Sequence, residues 1–452
     1  MKGRWHSLVE LIYHGISARA RACLVLACCT FCLPQVNAGE AIHLGVASCA
    51  SSTCHGSNVE FADSNILHNE FRVWNEQDPH ARAFQTLLTP ESQKIAGKLG
   101  LESAESADDC LHCHAANVPV ALRGDAFQID DGVGCEVCHG AAENYLDSHT
   151  TADHQANLRA GLYPTELPEE RARLCVSCHV GSNQDRVINH RIMGAGHPRL
   201  SFELNTFTSI QPAHYQVDQD YIERKGQISD LQFWAIGQLV AAERILDNIE
   251  GFPYSGLFPE FVHMDCLGCH QAMSKINWSR NPVNPLPPGA LRYNNSHLMM
   301  SYQLALAIAP ETAHELLENI RLFSGTGSSL NNLDRILPEL RQNLAKLKAN
   351  LQQKPIVAAQ GLAILDALLD IGLVSSYRDY SAAEQSAMAI NSVLKVIDAD
   401  RTLSVERATL LRGLESIFNG LDDAEHYQPD VFVAGLKRIK SALPRIQPTG
   451  EG

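Results

Sequence analysis

Five cysteine pairs, each followed directly by a histidine, constrain this 452-residue chain more than any other feature of it. Four of the pairs have two residues between their cysteines, and the first has four. Only 20 residues of the chain are histidine, so chance does not account for five such coincidences. The five motifs are Cys49/Cys54-His55, Cys110/Cys113-His114, Cys135/Cys138-His139, Cys175/Cys178-His179 and Cys266/Cys269-His270.

The regular motif, C-x-x-C-H, is the attachment signature of c-type haem. Its two thiols add to the two vinyl groups of haem, and the adjacent histidine reaches the iron as its proximal ligand. Zinc sites and redox disulfides also use C-x-x-C pairs, but neither requires a histidine directly after the second cysteine. The four regular motifs therefore predict four covalently bound haems.

The first motif, C-A-S-S-T-C-H, is longer than the regular one by two residues. Beyond residue 38, Cys49 and Cys54 are the only cysteines outside the four regular motifs, and His55 follows them directly. The alternative is a structural disulfide between Cys49 and Cys54, which would have no use for this histidine. We therefore predict a fifth haem c here, with ten cysteines as attachment sites and five histidines as proximal iron ligands.

The N-terminus has the features of a secretory signal peptide. Basic residues precede a short apolar run at 22–33, which is too short to span a bilayer. The sequence Val36-Asn37-Ala38 fits a cleavage site with small residues. A membrane anchor and a lipoprotein are the alternatives. We expect residues 1–38 to be removed after Ala38 and the protein to be periplasmic, because c-type haem is attached outside the cytoplasm.

The chain is acidic, with a formal net charge of −15, and the predicted signal peptide is itself basic. The remaining chain is therefore more acidic still. Such a protein is not expected to bind nucleic acid, and its field steers it toward basic partners. The sequence makes no prediction of the oligomeric state.

The composition of the chain changes near a proline-rich break at 282–288. Residues 39–300 hold all five motifs in short segments with little regular secondary structure, apart from a helix-like stretch at 229–249. Residues 301–452 contain no cysteine and show helical apolar periodicity. We predict a mainly α protein with a multihaem cytochrome c domain followed by a C-terminal bundle of four to six helices.

Four stretches carry the helical pattern beyond the break, and Pro338 is predicted to interrupt the first of them. The bundle is expected to dock a redox partner, to dimerise, or to cover one edge of the haem region. The sequence leaves all three roles open. The stretches are 333–351, 356–373, 382–397 and 405–418.

A second axial ligand is expected at a buried haem iron, and its identity separates electron carriers from catalysts. Besides the five proximal histidines, thirteen histidines lie beyond the signal peptide, enough for bis-histidine ligation of every haem. Methionine ligation by Met193 or Met264 is the less favoured alternative. His314 and His426 fall in the haem-free helices and are assigned no role.

Three stretches resemble the cytochrome c-554 family, tetrahaem cytochromes known as the electron partner of hydroxylamine oxidoreductase. They are D-D-G-V-G-C-E-V-C-H-G at 130–140, H-A-R-A-F at 80–84 and D-C-L-H-C-H at 109–114, and the resemblance spans about residues 46–180. It implies that His80 lies opposite His139. It also implies that His149 lies opposite His55, with His154 as the alternative.

The same resemblance implies that the second haem, held by His114, is five-coordinate. The stretch G-H-P-R-L-S-F at 196–202 resembles larger multihaem relatives, in which its histidine caps a haem. His197 is therefore predicted to cap the haem of His114 or that of His179. Three histidines compete for the remaining haem: His190, His214 and His263.

Two functions follow from these sites. The expected one is electron transfer between redox partner proteins, with a membrane-associated quinol oxidoreductase or a periplasmic oxidoreductase as candidate partners. The alternative is a haem-dependent oxidoreductase acting on a small nitrogen or sulfur compound at one open haem, that of His114. No catalytic residue is assigned, and the chain has no C-x-x-C-K motif of the kind that holds the active haem of pentahaem nitrite reductases. A third hypothesis is that the chain acts as a scaffold or as a redox sensor.

Overall fold

The computed structural model divides into two units by internal contacts, Met1–Ala41 and Ile42–Gly452, and every described element lies in the second. The predicted signal peptide and His426 lie outside the described residues. The structure describes residues 41–61, 66–151, 153–226, 229–251, 260–270, 281–287, 290–325, 332–375, 377, 379–399, 407–422, 424 and 427–443.

The fold is mainly α, as predicted. The structure is 65% helical, with 18 α-helices and no β-strand in the part of the chain that it describes. Two isolated bridges join His43 to Arg123 and Met264 to Tyr293. No described helix is long and apolar enough to cross a membrane.

The helices that precede residue 230 are short, between 5 and 12 residues each. Their ends are set by local signals: α3 begins after Thr89, whose hydroxyl accepts from the Ser92 amide, and it ends at Gly100 with φ of 76°. The ten helices are α1 Glu70–Gln77, α2 Ala83–Leu87, α3 Pro90–Leu99, α4 Asp108–His114, α5 Cys135–His139, α6 His154–Arg159, α7 Pro168–His179, α8 His190–Ala195, α9 Leu204–Ile210 and α10 Gln219–Lys225.

The helices that follow are longer and share one apolar core. Seven of them follow residue 295, more than the four to six predicted, because three lie outside the stretches singled out by periodicity. The set is α11 Asp230–Gly251, α12 Ser296–Ile308, α13 Pro310–Gly325, α14 Leu333–Gln353, α15 Ala358–Ser375, α16 Tyr380–Ala399, α17 Arg407–Asn419 and α18 Pro429–Ala442.

Helix α14 continues through Pro338, where the sequence predicted a break. Leu337 before the proline and Leu340 and Leu344 after it are buried in the core. Packing on both sides of the proline outweighs the backbone hydrogen bond that it removes.

Helix α11 joins the haem-motif region to the bundle. Its side chains are buried on most sides, with Trp234, Leu239 and Leu246 fully enclosed. It packs against α7, which ends in the fourth motif, and also against α12, α14 and α16. Because Ile42–Gly452 forms one compact unit, the division into domains at residue 300 stays a prediction.

Candidate haem sites

Three regular motifs occupy the last turns of helices α4, α5 and α7, which end at His114, His139 and His179. Residues three and four apart lie on the same face of a helix. The two cysteines and the histidine of each motif therefore point to one side. This is the placement that attachment to one haem requires.

The fifth motif begins in a short 3₁₀ turn, and the amide of His270 donates to the carbonyl of Cys266 at 2.7 Å. The stretched first motif closes in the same way, because the amide of His55 donates to the carbonyl of Cys49 at 3.2 Å. A turn from Ser51 to Cys54, closed at 3.0 Å, takes up the additional residues. The longer spacing thus still brings its histidine back to its first cysteine.

No disulfide joins any two of the ten described cysteines. Thiols of different motifs are close enough to shift each other's pKa, Cys49 with Cys135 and Cys113 with Cys178. The thiol of Cys138 is partly buried, and it is close enough to Cys175 for the charge of that thiol to affect its pKa. The first four motifs therefore form one cluster of neighbouring sites.

Each motif histidine faces a second histidine from elsewhere in the chain. The distance between the two ring centroids is nearly the same in all five pairs. The pairs are His55 with His149 at 6.2 Å, His114 with His197 at 6.4 Å, His139 with His214 at 6.2 Å, His179 with His80 at 6.0 Å and His270 with His190 at 6.2 Å.

This spacing fits a metal ion held between the two rings. A metal–imidazole bond of about 2.0–2.1 Å on each side, together with the half-width of each ring, gives about 6 Å between ring centroids. Hydrophobic packing of two imidazoles does not require such uniform spacing. The residues present therefore fit five haem irons, each with two histidine ligands.

In the first pair, hydrogen bonds hold the Nδ1 atoms of both rings. The Nδ1 of His55 lies 2.9 Å from the Glu70 carboxylate, and the Nδ1 of His149 lies 2.5 Å from the Leu146 carbonyl. The Nδ1 atoms of three other pair members are held in the same way. Because Nδ1 is engaged, Nε2 is the nitrogen that remains for an iron in each of these rings. The other bonds are His80 to Asp78 at 2.8 Å, His114 to the Ala83 carbonyl at 3.0 Å and His197 to the Pro198 carbonyl at 2.8 Å.

His154 differs from these histidines, because its Nε2 contacts the Glu166 carboxylate at 2.5 Å. The nitrogen that would bind iron is therefore engaged. Of the two candidates that the sequence offered for the first haem, the structure brings His149 and not His154 to His55.

Burial favours the neutral imidazole at several of these rings. It lowers the pKa of His139 and of His179 to about 4. At His55 and His80 the opposite holds, since the hydrogen bonds that the rings donate to the carboxylates of Glu70 and Asp78 raise the pKa of each ring. A ring made more basic by a carboxylate is a stronger donor to a metal.

The structure corrects the pairing that the family resemblance implied for His80. Its carbonyl accepts from the Val133 amide at 3.1 Å, so its backbone does lie beside the third motif. Its ring, however, bonds to Asp78 and faces His179. The resemblance predicted correctly that the His80 backbone lies beside the third motif, but not the direction of its side chain. The ring opposite His139 is that of His214.

A second correction concerns the haem of His114, which the resemblance implied to be five-coordinate. His197 stands opposite His114, so the sequence alternative that paired it with His179 does not apply. Among the competitors for the last site, the structure pairs His190 with His270, whereas His263 lines a cavity beside Cys266 and Arg199. No sequence motif marks His190 or His214.

Glu136, inside the third motif, explains part of the G-V-G-C-E-x-C-H-G signature. Its buried carboxylate accepts three backbone hydrogen bonds, from Leu44 at 2.9 Å, from Gly45 at 2.7 Å and from Ala142 at 2.7 Å. Gly45 has φ of 89°, and a side chain there would collide with the Ala126 carbonyl. Glu136 thus fixes the segment that leads into the first motif against the third motif.

The comparison with known families agrees with this geometry. Residues 48–140, which include the first three motifs, match the family model described as cytochrome c554 and c-prime. The predicted resemblance is confirmed over that segment. The match supports a c-type cytochrome, with haem c as the cofactor and electron transfer as the general role. Searches of curated proteins and of solved structures gave no significant match.

Proposed function

We propose that this chain is an exported pentahaem c-type cytochrome that transfers electrons between redox partner proteins. Five haems c would be attached by the ten cysteines of the motifs. The observation that carries the proposal is the set of five histidine pairs, each with ring centroids 6.0 to 6.4 Å apart.

The protein's own residues set the properties of each site. Haem c, when bound, supplies an iron that accepts and releases one electron at a time, and bis-histidine ligation favours low potentials. The carboxylates of Glu70 and Asp78 make the rings of His55 and His80 stronger donors. Fixed Nδ1 bonds hold ligand rings in place, so little rearrangement accompanies a change of charge.

The alternative activity, oxidation or reduction of a small nitrogen or sulfur compound, needs an iron with a vacant position. The sequence placed that position at His114. The ring of His197 lies opposite His114, so the geometry favours the electron carrier.

Export and partners are further parts of the proposal. Covalent haem attachment and the predicted signal peptide support a periplasmic location. The negative net charge of −15 supports a redox partner with a basic surface. A membrane-associated quinol oxidoreductase and a periplasmic oxidoreductase remain the candidate partner classes.

Two measurements on the purified holoprotein test the proposal. Intact mass gives the number of haem additions to a chain that begins at Gly39, and five are expected. Four additions would remove Cys49 and Cys54 from the attachment sites. The electron paramagnetic resonance (EPR) spectrum of the ferric protein gives the ligation, and only low-spin signals are expected.

The EPR spectrum is then repeated with nitrite, hydroxylamine or cyanide. No change is expected if every iron has two histidine ligands. A high-spin signal that shifts on addition of any of these ligands would favour the oxidoreductase instead.

A further inference from the structure

We propose that the surface around Cys54, at the first haem site, docks a basic electron-transfer protein. The inference rests on the proposed electron-carrier function and adds where the partner binds and what its surface is like. We call this surface the Cys54 patch, and we define its apolar part by Val59, Phe61 and Ile66.

The exposure of the cysteines singles out two sites. Of the ten described motif cysteines, only Cys54 and Cys269 are exposed, whereas the other eight are partly covered. Electron transfer between proteins needs a short distance from the protein surface to the cofactor. The first and fifth sites are therefore the two at which a partner can approach an attachment cysteine most closely.

The first site carries an apolar surface beside its exposed cysteine. Val59 is 67% exposed, Phe61 41% and Ile66 40%. Three large apolar side chains left in water within one short stretch mark an interaction site more often than a single exposed one does. An apolar centre with a polar rim is the usual composition of a protein–protein interface.

Hydrogen bonds hold this patch against the attachment loop. His68, with φ of 62°, has its Nδ1 atom 2.6 Å from the Cys54 carbonyl oxygen, and its ring stacks on Phe61 at 4.4 Å between centroids. The amide of Phe61 donates to the Leu67 carbonyl at 3.2 Å, which brings the two ends of the patch together. Only His68 thus lies between a partner that contacts Phe61 and the backbone of Cys54.

Carboxylates dominate the charge around the patch. The three segments that build the first site, residues 49–61, 66–76 and 141–151, hold five carboxylates and one guanidinium, that of Arg72. Arg72 is paired with Glu76 at 2.7 Å, and the side chains of Glu60 and Asp147 are exposed. A basic partner fits this rim, because opposite charges steer association and raise its rate.

The reaction at this surface is a one-electron exchange. One electron leaves the reduced protein and reduces one ferric partner to its ferrous state, and no bond is formed or broken. With a partner that has methionine–histidine ligation, and therefore a higher potential, the transfer runs away from this protein.

The experiment is stopped-flow oxidation of the fully reduced holoprotein by a basic monohaem cytochrome c with methionine–histidine ligation. The test variant is Glu60→Lys/Asp147→Lys. At low ionic strength its second-order rate is expected to fall about tenfold, within the range that electrostatic steering gives. The difference should disappear above about 0.5 M salt, because exposed charges are then screened.

The matched control is Glu415→Lys/Asp430→Lys, which makes the same change of charge at exposed positions on α17 and α18. It is expected to alter the rate by less than about twofold. If both double variants slow the reaction equally, net charge and not the Cys54 patch controls the rate. If neither slows it, the partner docks elsewhere.

A second variant, Phe61→Ser, tests the apolar centre. Its rate is expected to fall severalfold at all salt concentrations, with an unchanged EPR spectrum. A change in the low-spin signals would mean that Phe61 packs on the haem, and would overturn its role in docking.

Oxidation of the reduced holoprotein by a neutral quinone distinguishes a failure of the electron-carrier function from a failure of the docking inference. If the wild type reduces neither the quinone nor the basic cytochrome, the electron-carrier function fails. If it reduces both, and neither patch variant slows reduction of the cytochrome, only the docking inference fails.

Discussion

The imidazole rings of His114 and His197 face each other at 6.4 Å between centroids and at an interplanar angle of 81°. The Nδ1 atom of His114 lies 3.0 Å from the Ala83 carbonyl, and that of His197 lies 2.8 Å from the Pro198 carbonyl. In each ring, therefore, Nε2 is the nitrogen that remains for an iron. In this pair the chain differs from what the family resemblance implied, which was an open iron at the haem of His114.

Replacing His197 by alanine is expected to open the second site. The ferric protein should then gain one high-spin EPR signal, and cyanide should convert that signal to low spin. His154→Ala is the matched control, because the Nε2 of His154 is engaged by Glu166. If His197→Ala leaves the spectrum unchanged, or if the control also gains a high-spin signal, the assigned ligand is wrong.

Replacing Glu136 by glutamine is expected to lower the free energy of unfolding by about 1–3 kcal/mol, the cost of leaving a buried donor unsatisfied. A glutamine can accept the bonds from Leu44 and Ala142, but its amide NH₂ would then meet the Gly45 amide, donor against donor. Denaturant unfolding of the holoprotein measures the change.

The control for Glu136 is Glu143→Gln, which affects an exposed carboxylate that accepts one hydrogen bond, from the Ile42 amide at 2.7 Å. Its effect is expected to stay within about 0.5 kcal/mol. Equal effects of the two substitutions would contradict the role assigned to the three bonds of Glu136.

The sequence predicted what local pattern determines. Adjacent residues define the attachment motifs, and apolar periodicity located α14 to α17, because both signals lie within one short stretch. The opposite rings come from distant segments: His214 faces His139 and His190 faces His270, and no spacing marks them. His80 shows why resemblance alone was insufficient, since its backbone lies by the third motif while Asp78 turns its ring to the fourth.

The buried pair of carboxylates near the fifth motif predicts a pH dependence of stability. Asp265 and Asp379 share the guanidinium of Arg292, and burial, together with the charge of Asp379, raises the pKa of Asp265 from 3.8 to about 6. A raised pKa means that the folded state binds the proton more tightly than the unfolded state. This contribution to stability is therefore present below about pH 4 and is lost as the pH rises to about 6.

In Asp265→Asn this pH-dependent contribution, of the order of 2–3 kcal/mol, should be absent. The free energy of unfolding, measured by denaturant from pH 4 to pH 7, is expected to fall less with rising pH in the variant than in the wild type. Parallel curves would mean that Asp265 does not titrate in this range.

The last prediction concerns the contact between α9 and α11, the helix that joins the haem motifs to the bundle. A Cβ atom added at Gly237 of α11 would lie 2.5 Å from the Cβ of Leu204 on α9, and both residues are buried. Gly237→Ala is therefore expected to destabilise the protein by about 1–3 kcal/mol, the usual cost of overpacking. Gly97→Ala is the matched control, since no atom lies within 4 Å of its added Cβ in α3. It should instead stabilise the protein by about 0.5–1 kcal/mol, because alanine loses less conformational entropy than glycine in a helix. Thermal unfolding of both holoproteins measures the two effects, and a fall in melting temperature for Gly97→Ala as large as that for Gly237→Ala would show that the Leu204 contact is not the cause.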